Sequence, residues 1–251
     1  MRTNLYRVEV YRFGFSGAPL SQYLQMMRYV KKKYSPDIVI TVIVHNDFIE
    51  SIEGFGEGLG DFLKFAKQNE LWKEIKPRPD AYVPNPVKRA FKHSSFFRYL
   101  YYNLNIREVA YFLNGKSKGK DFRMNIDIDE IMASLDDIKE LCFSIFSKYK
   151  ETSGEDTRLL LVMDGDRDTI YKGLDPEKQK LYALNTLARD TAEKLSISFI
   201  DLNDVFAADY KENRKRFDFK RDKHWNERGH FLVGHTIAKF LLDHRWCSPL
   251  N

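Results

Sequence analysis

The sequence predicts an α/β fold in which a mainly parallel sheet lies between two layers of helices. Two apolar runs, DIVITVIV (37–44) and RLLLVMD (158–164), have the continuous hydrophobic character of strands buried on both faces. Segments with helical periodicity flank both runs, so that strands and helices alternate along the chain. This alternation is typical of three-layer α/β/α domains with parallel strands.

The first three elements are predicted to form one βαβ unit. Residues 8–13 predict a short strand, which the turn sequence GFSGAP ends. A helix over 20–33 is indicated by apolar residues at helical spacing, namely Leu20, Tyr23, Leu24, Met27 and Val30. The strand over 37–44 follows, and such a crossover is almost always right-handed.

Regular alternation stops after Val44 and resumes at residue 127. We interpret residues 48–125 as an insertion with helices of its own, because they contain a glycine-rich run, a proline-rich run and a helical aromatic run. The insertion is either a lid over one end of the sheet or a segment without a role in the site. The chain as a whole, 1–251, is interpreted as a single domain.

The second half of the chain completes the predicted layers. The expected elements are, in order, a helix over 128–146 capped by Asp127, the strand 158–164, a helix over 176–195, a strand over 197–202, a long loop, and a helix over 227–242 capped by Asn226.

Composition excludes several classes of protein. The 251 residues are 43% hydrophobic and 31% charged, which is not the composition of a disordered chain. Lys and Arg number 41 against 36 Asp and Glu, and the resulting net charge of +5 is too scattered to predict a nucleic-acid interface. The two cysteines form no metal or redox motif, and Cys142 is interpreted as a buried thiol.

No transmembrane segment is predicted. The most aromatic run, residues 96–113, contains Arg98, Arg107 and Glu108 and is too polar to span a bilayer. The first residues lack a signal-peptide core, so the chain as given is expected to be soluble and cytoplasmic, or extracytoplasmic if a signal precedes it. The sequence does not indicate whether the protein is a monomer or an oligomer.

Polar residues follow each predicted strand at its carboxyl end, which is where binding sites form in open parallel sheets. In chain order these residues are Ser16 and Gly17, then His45, Asn46 and Asp47, then Asp164, Asp166, Arg167 and Asp168, and finally Asp222 and His224. The sequence therefore predicts one polar site at this edge of the sheet.

Asp222 and His224 are the strongest candidate pair in that set. A carboxylate beside an imidazole can orient a general base, and Trp225 is expected to pack beside the ring. The alternative is a capping and surface pair ahead of the last helix. His230 is interpreted as structural.

Two further residues could stabilise a developing negative charge. Asn46 could donate its side-chain amide to an oxyanion, and Gly17 could donate its backbone N–H. Each also has an ordinary interpretation as a turn residue. Asp47 and Arg167 are predicted to line the pocket.

The run DGDRDTIYKGLD (164–175) places aspartates at four positions of a calcium-binding loop. The glycine expected at the sixth position is Thr169, the last residue is Asp175 in place of Glu, and a strand precedes the run instead of a helix. We therefore predict no metal site.

These motifs resemble the SGNH hydrolase superfamily, the GDSL-type esterases and lipases. YRFGFSGAPLSQYL (11–24) is similar to the family block that contributes Gly17, and PDIVITVIVHNDF (36–48) to the block that contributes Asn46. DKHWNERGH (222–230) is similar to the last block, with Asp222 and His224. Its Asp-x-His spacing resembles bacterial acetyltransferase-like members, including alginate O-acetylation proteins, in place of the usual Asp-x-x-His.

The resemblance implies a flavodoxin-like three-layer fold and a Ser-His-Asp mechanism without a cofactor. His224 would be the base, Asp222 the residue that orients it, and Gly17 and Asn46 the oxyanion donors. The expected activity is hydrolysis or O-acyl transfer on an acyl ester, such as an acetyl ester, of a small molecule or a carbohydrate.

The nucleophile of that family is missing. Its serine belongs to a Gly-Asp-Ser motif after the first strand, and no such motif occurs in this sequence. The expectation we favour is that the sequence lacks the N-terminal segment with the first strand and the serine. The alternatives are a non-catalytic ligand-binding module and Ser16 as a relocated nucleophile. A metal-dependent phosphoesterase that uses Asp164, Asp166, Asp222 and His224 is a weaker hypothesis.

Overall fold

The computed structural model describes residues 8–15, 17–56, 62–77, 122–123, 126–219 and 222–247. The helices are α1 (Leu20–Tyr34), α2 (Asn46–Ile49), α3 (Ile128–Ala133), α4 (Leu135–Ser153), α5 (Arg167–Tyr171), α6 (Tyr182–Lys194), α7 (Leu202–Asn213) and α8 (Glu227–Asp243). The strands are β1 (Ile38–Ile43), β2 (Lys64–Gln68), β3 (Leu71–Ile75), β4 (Phe122–Arg123), β5 (Ile126–Asp127), β6 (Arg158–Met163), β7 (Ser198–Asp201), β8 (Asp218–Phe219) and β9 (Asp222–Trp225).

The centre of the fold is a parallel sheet of three strands in the order β1-β6-β7. β1 pairs with β6 from Ile38↔Arg158 to Ile43↔Met163, and β6 pairs with β7 from Leu160↔Ser198 to Met163↔Asp201. The chain is therefore an α/β protein, and the three strands predicted after residue 36 are confirmed. β1 lies at an edge of this sheet among the described residues.

Helices pack around the sheet on both faces. Successive residues of β6 alternate between two hydrophobic clusters, because neighbouring side chains of a strand point to opposite faces. The first cluster contains Leu159, Leu161 and Met163 with α1, α4 and α6, and the second contains Leu160 and Val162 with α7 and α8. This arrangement is compatible with a three-layer sandwich. Cys142 is buried in the first cluster as a free thiol, as expected.

Both predicted helix caps are confirmed. Asp127 accepts hydrogen bonds from the backbone N–H groups of Asp129 and Glu130, and Asn226 accepts one from Gly229 N at 3.0 Å. The helix expected over 128–146 is divided at Ser134 into α3 and α4.

The predicted first strand is wrong. Residues 8–15 form neither helix nor strand, and Val8 and Val10 are 58% and 86% exposed. The rings of Tyr11 and Phe13 instead pack against Tyr34 at the end of α1. An alternating pattern becomes a strand only where a neighbouring strand takes up its backbone hydrogen bonds, and the described part of the chain places none there.

Residues 64–75 of the predicted insertion form a β-hairpin, whereas the sequence suggested helices. β2 and β3 are joined by Asn69 and Glu70, both with positive φ, as a two-residue type I′ turn requires. Phe65 in β2 is fully buried in the first cluster and ties the hairpin to the core. The helical run expected near residues 90–113 lies outside the described residues.

The long loop expected before the last helix is mostly ordered secondary structure. α7 begins directly after β7, where the Asp201 side chain accepts the N–H of Asn203 at 2.9 Å and caps the helix. β8 and β9 then form a short antiparallel hairpin that leads into α8. Within the described residues no helix has both the length and the apolar character needed to cross a membrane.

Candidate functional site

A buried ion pair lies at the carboxyl end of β6. Asp164 and Arg167 are 1% and 2% exposed, and Arg167 Nη2 lies 3.1 Å from Asp164 Oδ2. The other oxygen, Oδ1, accepts the backbone N–H of Gly165 at 2.9 Å. Burial raises the pKa of Asp164, and the positive charge of Arg167 opposes that rise.

This pair holds β9, the strand that carries His224. Arg167 Nη2 donates to the Lys223 carbonyl at 2.9 Å, and Trp225 Nε1 donates to Asp164 Oδ1 at 3.1 Å. The residues before and after His224 are therefore both bonded to the ion pair. The structure thus brings together two residues predicted for the pocket, Arg167 and Trp225.

The junction between β9 and α8 is fixed by close packing. Asn226 N donates to the Phe217 carbonyl at 2.8 Å. A Cβ atom on Gly229 would lie 2.5 Å from that same carbonyl oxygen and 2.9 Å from Trp225 Cβ, so only glycine fits. The Trp225 ring makes T-shaped contacts with the rings of Phe206 and His230. The hairpin therefore enters α8 in one defined orientation.

His224 itself lies exposed in β9, two residues after Asp222. An exposed imidazole is accessible to a ligand. The side chain of Asp222 lies outside the described part of the structure, so its role in orienting His224 stays a prediction.

A second buried network joins the ends of all three sheet strands. His45, which follows β1, is 1% exposed and its Nε2 lies 2.9 Å from Asn185 Oδ1. Asn185 Nδ2 donates to the Asp164 carbonyl and to Asp201 Oδ1, at 3.1 and 3.0 Å. Since both N–H bonds of the Asn185 amide are used, its oxygen faces His45, and Nε2 carries the ring proton.

The burial of His45 disfavours the charged form of its imidazole. Burial lowers its pKa, although the nearby charge of Asp164 opposes that shift. Its Nδ1 atom is buried without a hydrogen-bond partner among the described residues.

Asn185 was missed by the sequence analysis. It lies on the buried face of α6 with Leu184, Ala188 and Ala192. An amide on a helix face that is otherwise apolar apart from Thr191 is the signal that could have identified it, because a buried polar side chain requires hydrogen-bond partners.

The residues after β1 divide into two environments. Asn46 is half-buried at the start of α2. Asp47 is 2% exposed, and its Oδ2 accepts both the Val44 N–H at 3.0 Å and the Tyr23 hydroxyl at 2.8 Å. Burial raises the pKa of Asp47 to about 8. These contacts connect α2 to α1 and are those of a structural carboxylate.

Gly17 lies in an exposed turn just before α1 with a φ of 71°. This left-handed conformation accounts for glycine at the position without any catalytic role. Its part in an oxyanion hole stays a prediction, and Ser16 lies outside the described residues.

The aspartates of the calcium-like run have other partners. Asp166 accepts the Thr169 hydroxyl at 2.6 Å and caps α5, while Asp168 accepts Lys223 Nζ at 2.6 Å. Asp175 caps the 3-10 turn Pro176–Lys178. Across the described ranges, no three His, Cys, Asp or Glu side chains are grouped so that they could hold a metal ion.

A polar cleft of about 410 Å³ opens beside the end of β7. Arg189 lines it and donates from Nη2 to Asp201 Oδ2 at 2.6 Å and to the Tyr182 hydroxyl at 2.8 Å. Because Asp201 also accepts from Asn185, this cleft borders the network that joins the strand ends.

Family models, curated proteins and solved structures were all compared with the chain, and none matches it.

Proposed function

We propose that this protein has the SGNH-type three-layer fold and acts on acyl esters by hydrolysis or O-acyl transfer. The observation that carries the proposal is the attachment of β9 to the end of β6. Through it, an exposed His224 is held at the same sheet edge where Asn46 follows β1. A base and an amide donor at the carboxyl edge of a parallel sheet are two parts of an acyl-transfer site.

In this mechanism His224 removes the proton from a serine hydroxyl as the serine oxygen attacks the ester carbonyl. The Asn46 amide and the Gly17 N–H donate to the oxyanion of the tetrahedral intermediate. The alcohol leaves with the proton from His224, and water or a sugar hydroxyl then accepts the acyl group by the same steps in reverse.

The sequence contains no Gly-Asp-Ser motif, so we assign no serine to the attacking role. A site that has its base and oxyanion donors but no nucleophile retains only the catalysis of its remaining parts, about 10³–10⁴-fold over water. For the same reason the second candidate function is an SGNH-like module that binds an acylated carbohydrate without turning it over.

The test uses the parent protein and three variants, His224→Ala, Asn46→Ala and, as a matched control, His235→Ala. His235 is an exposed histidine of α8 that stacks on Phe231. Each protein is treated with a fluorophosphonate serine probe and mapped by mass spectrometry, and its hydrolysis of p-nitrophenyl acetate is measured.

A serine adduct that disappears in His224→Ala supports an enzyme with its nucleophile. Hydrolysis without an adduct, reduced in His224→Ala and Asn46→Ala but not in His235→Ala, supports a site without one. Equal rates in all four proteins would contradict the catalytic proposal. Binding of an acetylated oligosaccharide, measured by calorimetry and lost only in His224→Ala, would then support the binding module.

A further inference from the structure

β8 alone cannot fix the position of His224. The pairing of β8 with β9 consists of Asp218↔Trp225 and Phe219↔Asp222, with an irregular register between the two pairs. Two residues of one strand therefore face four of the other, and a regular ladder does not include Lys223 or His224. An exposed side chain on such a strand requires additional contacts if its backbone is to stay in one place.

Those contacts come from Asp164 and Arg167. A single nitrogen, Arg167 Nη2, lies 2.9 Å from the Lys223 carbonyl and 3.1 Å from Asp164 Oδ2. The opposite carboxylate oxygen accepts the Trp225 indole N–H. The ion pair thus contacts the residue on each side of His224.

We propose that Asp164 and Arg167 are positioning residues for His224, which they hold in place by bonding the backbone of Lys223 and the indole of Trp225. The catalytic part of this inference rests on the proposed function. The ordering of β9 does not, because it concerns the geometry of the strand alone.

The burial of Asp164 and Arg167 makes their hydrogen bonds to β9 difficult to replace. Both side chains are at most 3% exposed, so water cannot replace a lost hydrogen bond. The guanidinium and the carboxylate also neutralise each other, and each orients the other toward β9.

The same strand provides a matched surface contact. Lys223 Nζ lies 2.6 Å from Asp168 Oδ1, but the two side chains are 46% and 23% exposed. Solvent-exposed pairs contribute little to stability. Asp168→Asn therefore removes a charge contact to the same residue of β9 and is expected to leave the position of His224 unchanged.

The experiment compares Asp164→Asn, Arg167→Lys and Arg167→Ala with Asp168→Asn. A fifth variant, Ile145→Ala, removes fully buried side-chain atoms from the first cluster, whereas Trp225 of β9 packs against the second, and it controls for a general loss of stability. Two readouts need no activity: hydrogen exchange of the β9 backbone amides, and the number of ring resonances of His224 in NMR spectra.

We expect the β9 amides to exchange on the order of tenfold faster in Asp164→Asn and Arg167→Ala. We expect the Hδ2 and Hε1 ring protons of His224 to give one signal each in the parent and several each in those two variants. Arg167→Lys should restore part of the order, because an ammonium group can bond the Lys223 carbonyl but cannot form the planar fork of arginine. Asp168→Asn and Ile145→Ala should leave both readouts as in the parent.

If β9 exchange and the His224 resonance are unchanged in Asp164→Asn and Arg167→Ala, the positioning role is wrong, whether or not the protein hydrolyses esters. Where ester hydrolysis is measurable, displacement of the base should lower kcat by about 10²-fold with little change in KM. A different outcome is that β9 exchanges faster as expected while ester hydrolysis does not depend on His224. That result would support the positioning role of Asp164 and Arg167 and overturn the proposed function.

Discussion

Replacement of Asp47 by asparagine should stabilise the protein, and the gain should increase with pH. Both hydrogen bonds to the Asp47 side chain, from Tyr23 and from Val44, end on the same oxygen. An asparagine amide has one oxygen that can accept both bonds, and it carries no charge to bury. The substitution therefore retains the contacts and removes the cost of ionisation.

The magnitude follows from the pKa of Asp47, which burial raises from 3.8 to about 8. The folded chain holds this proton more tightly than the unfolded chain does. The contribution of Asp47 to stability is therefore full below about pH 4 and is lost as the pH rises through about 8. Over that range the loss amounts to at most about 6 kcal/mol, since a tenfold change in proton affinity corresponds to about 1.4 kcal/mol.

The assay is urea unfolding followed by far-ultraviolet circular dichroism at pH values of about 4, 6 and 9. Asp47→Asn and the parent should have similar free energies of unfolding at the lowest pH, and the variant should be more stable by several kcal/mol at the highest. Asp190→Asn, an exposed position on α6, is the control and should show no such trend. A difference between Asp47→Asn and the parent that does not change with pH would refute this assignment of Asp47 as a buried structural carboxylate.

Two further substitutions test the packing around the strand ends. Gly165→Ala should lower the free energy of unfolding, measured in urea, by about 1–3 kcal/mol, because its Cβ would lie 3.0 Å from the Phe206 ring. Gly234→Ala, in open space on α8, should instead raise it by up to about 1 kcal/mol. Asn185→Leu should cost about 3 kcal/mol or more by the same measurement, because it leaves the His45 ring and a buried carbonyl without partners. An Asn185→Leu protein as stable as the parent would show that the network joining the strand ends contributes nothing.

The elements that the sequence predicted are those whose evidence is local. β6 is buried on both faces from Leu159 to Met163, and β1 is buried or half-buried except at Ile40, so each strand leaves a continuous apolar run in the sequence. The caps at Asp127 and Asn226 were predictable because a cap acts within three residues of itself. The failed strand at residues 8–13 shows the limit of the same reasoning, since a strand also needs a neighbour that no local pattern specifies.

The contacts of the candidate site were beyond prediction because they join distant parts of the chain. Asn185 is 140 residues from His45, and Arg167 is 56 residues from Lys223. The sequence did indicate that Arg167, Trp225 and His224 belong to one edge of the sheet. It gave no sign that the arginine is buried against Asp164, because no periodicity distinguishes a buried ion pair from a polar loop.

The pairing of β1 with β6 has a consequence for folding during translation, because the two strands are synthesised at different times. Ile38 pairs with Arg158, so 120 residues separate the two strands in the sequence. At a translation rate of about 5–20 residues per second, β1 waits roughly 6–24 s for its partner to be made. Throughout that interval the run IVITVI is an unpaired, strongly apolar segment of a nascent chain. Until β6 has been made, β1 is therefore the part of the sheet most exposed to pairing with another chain.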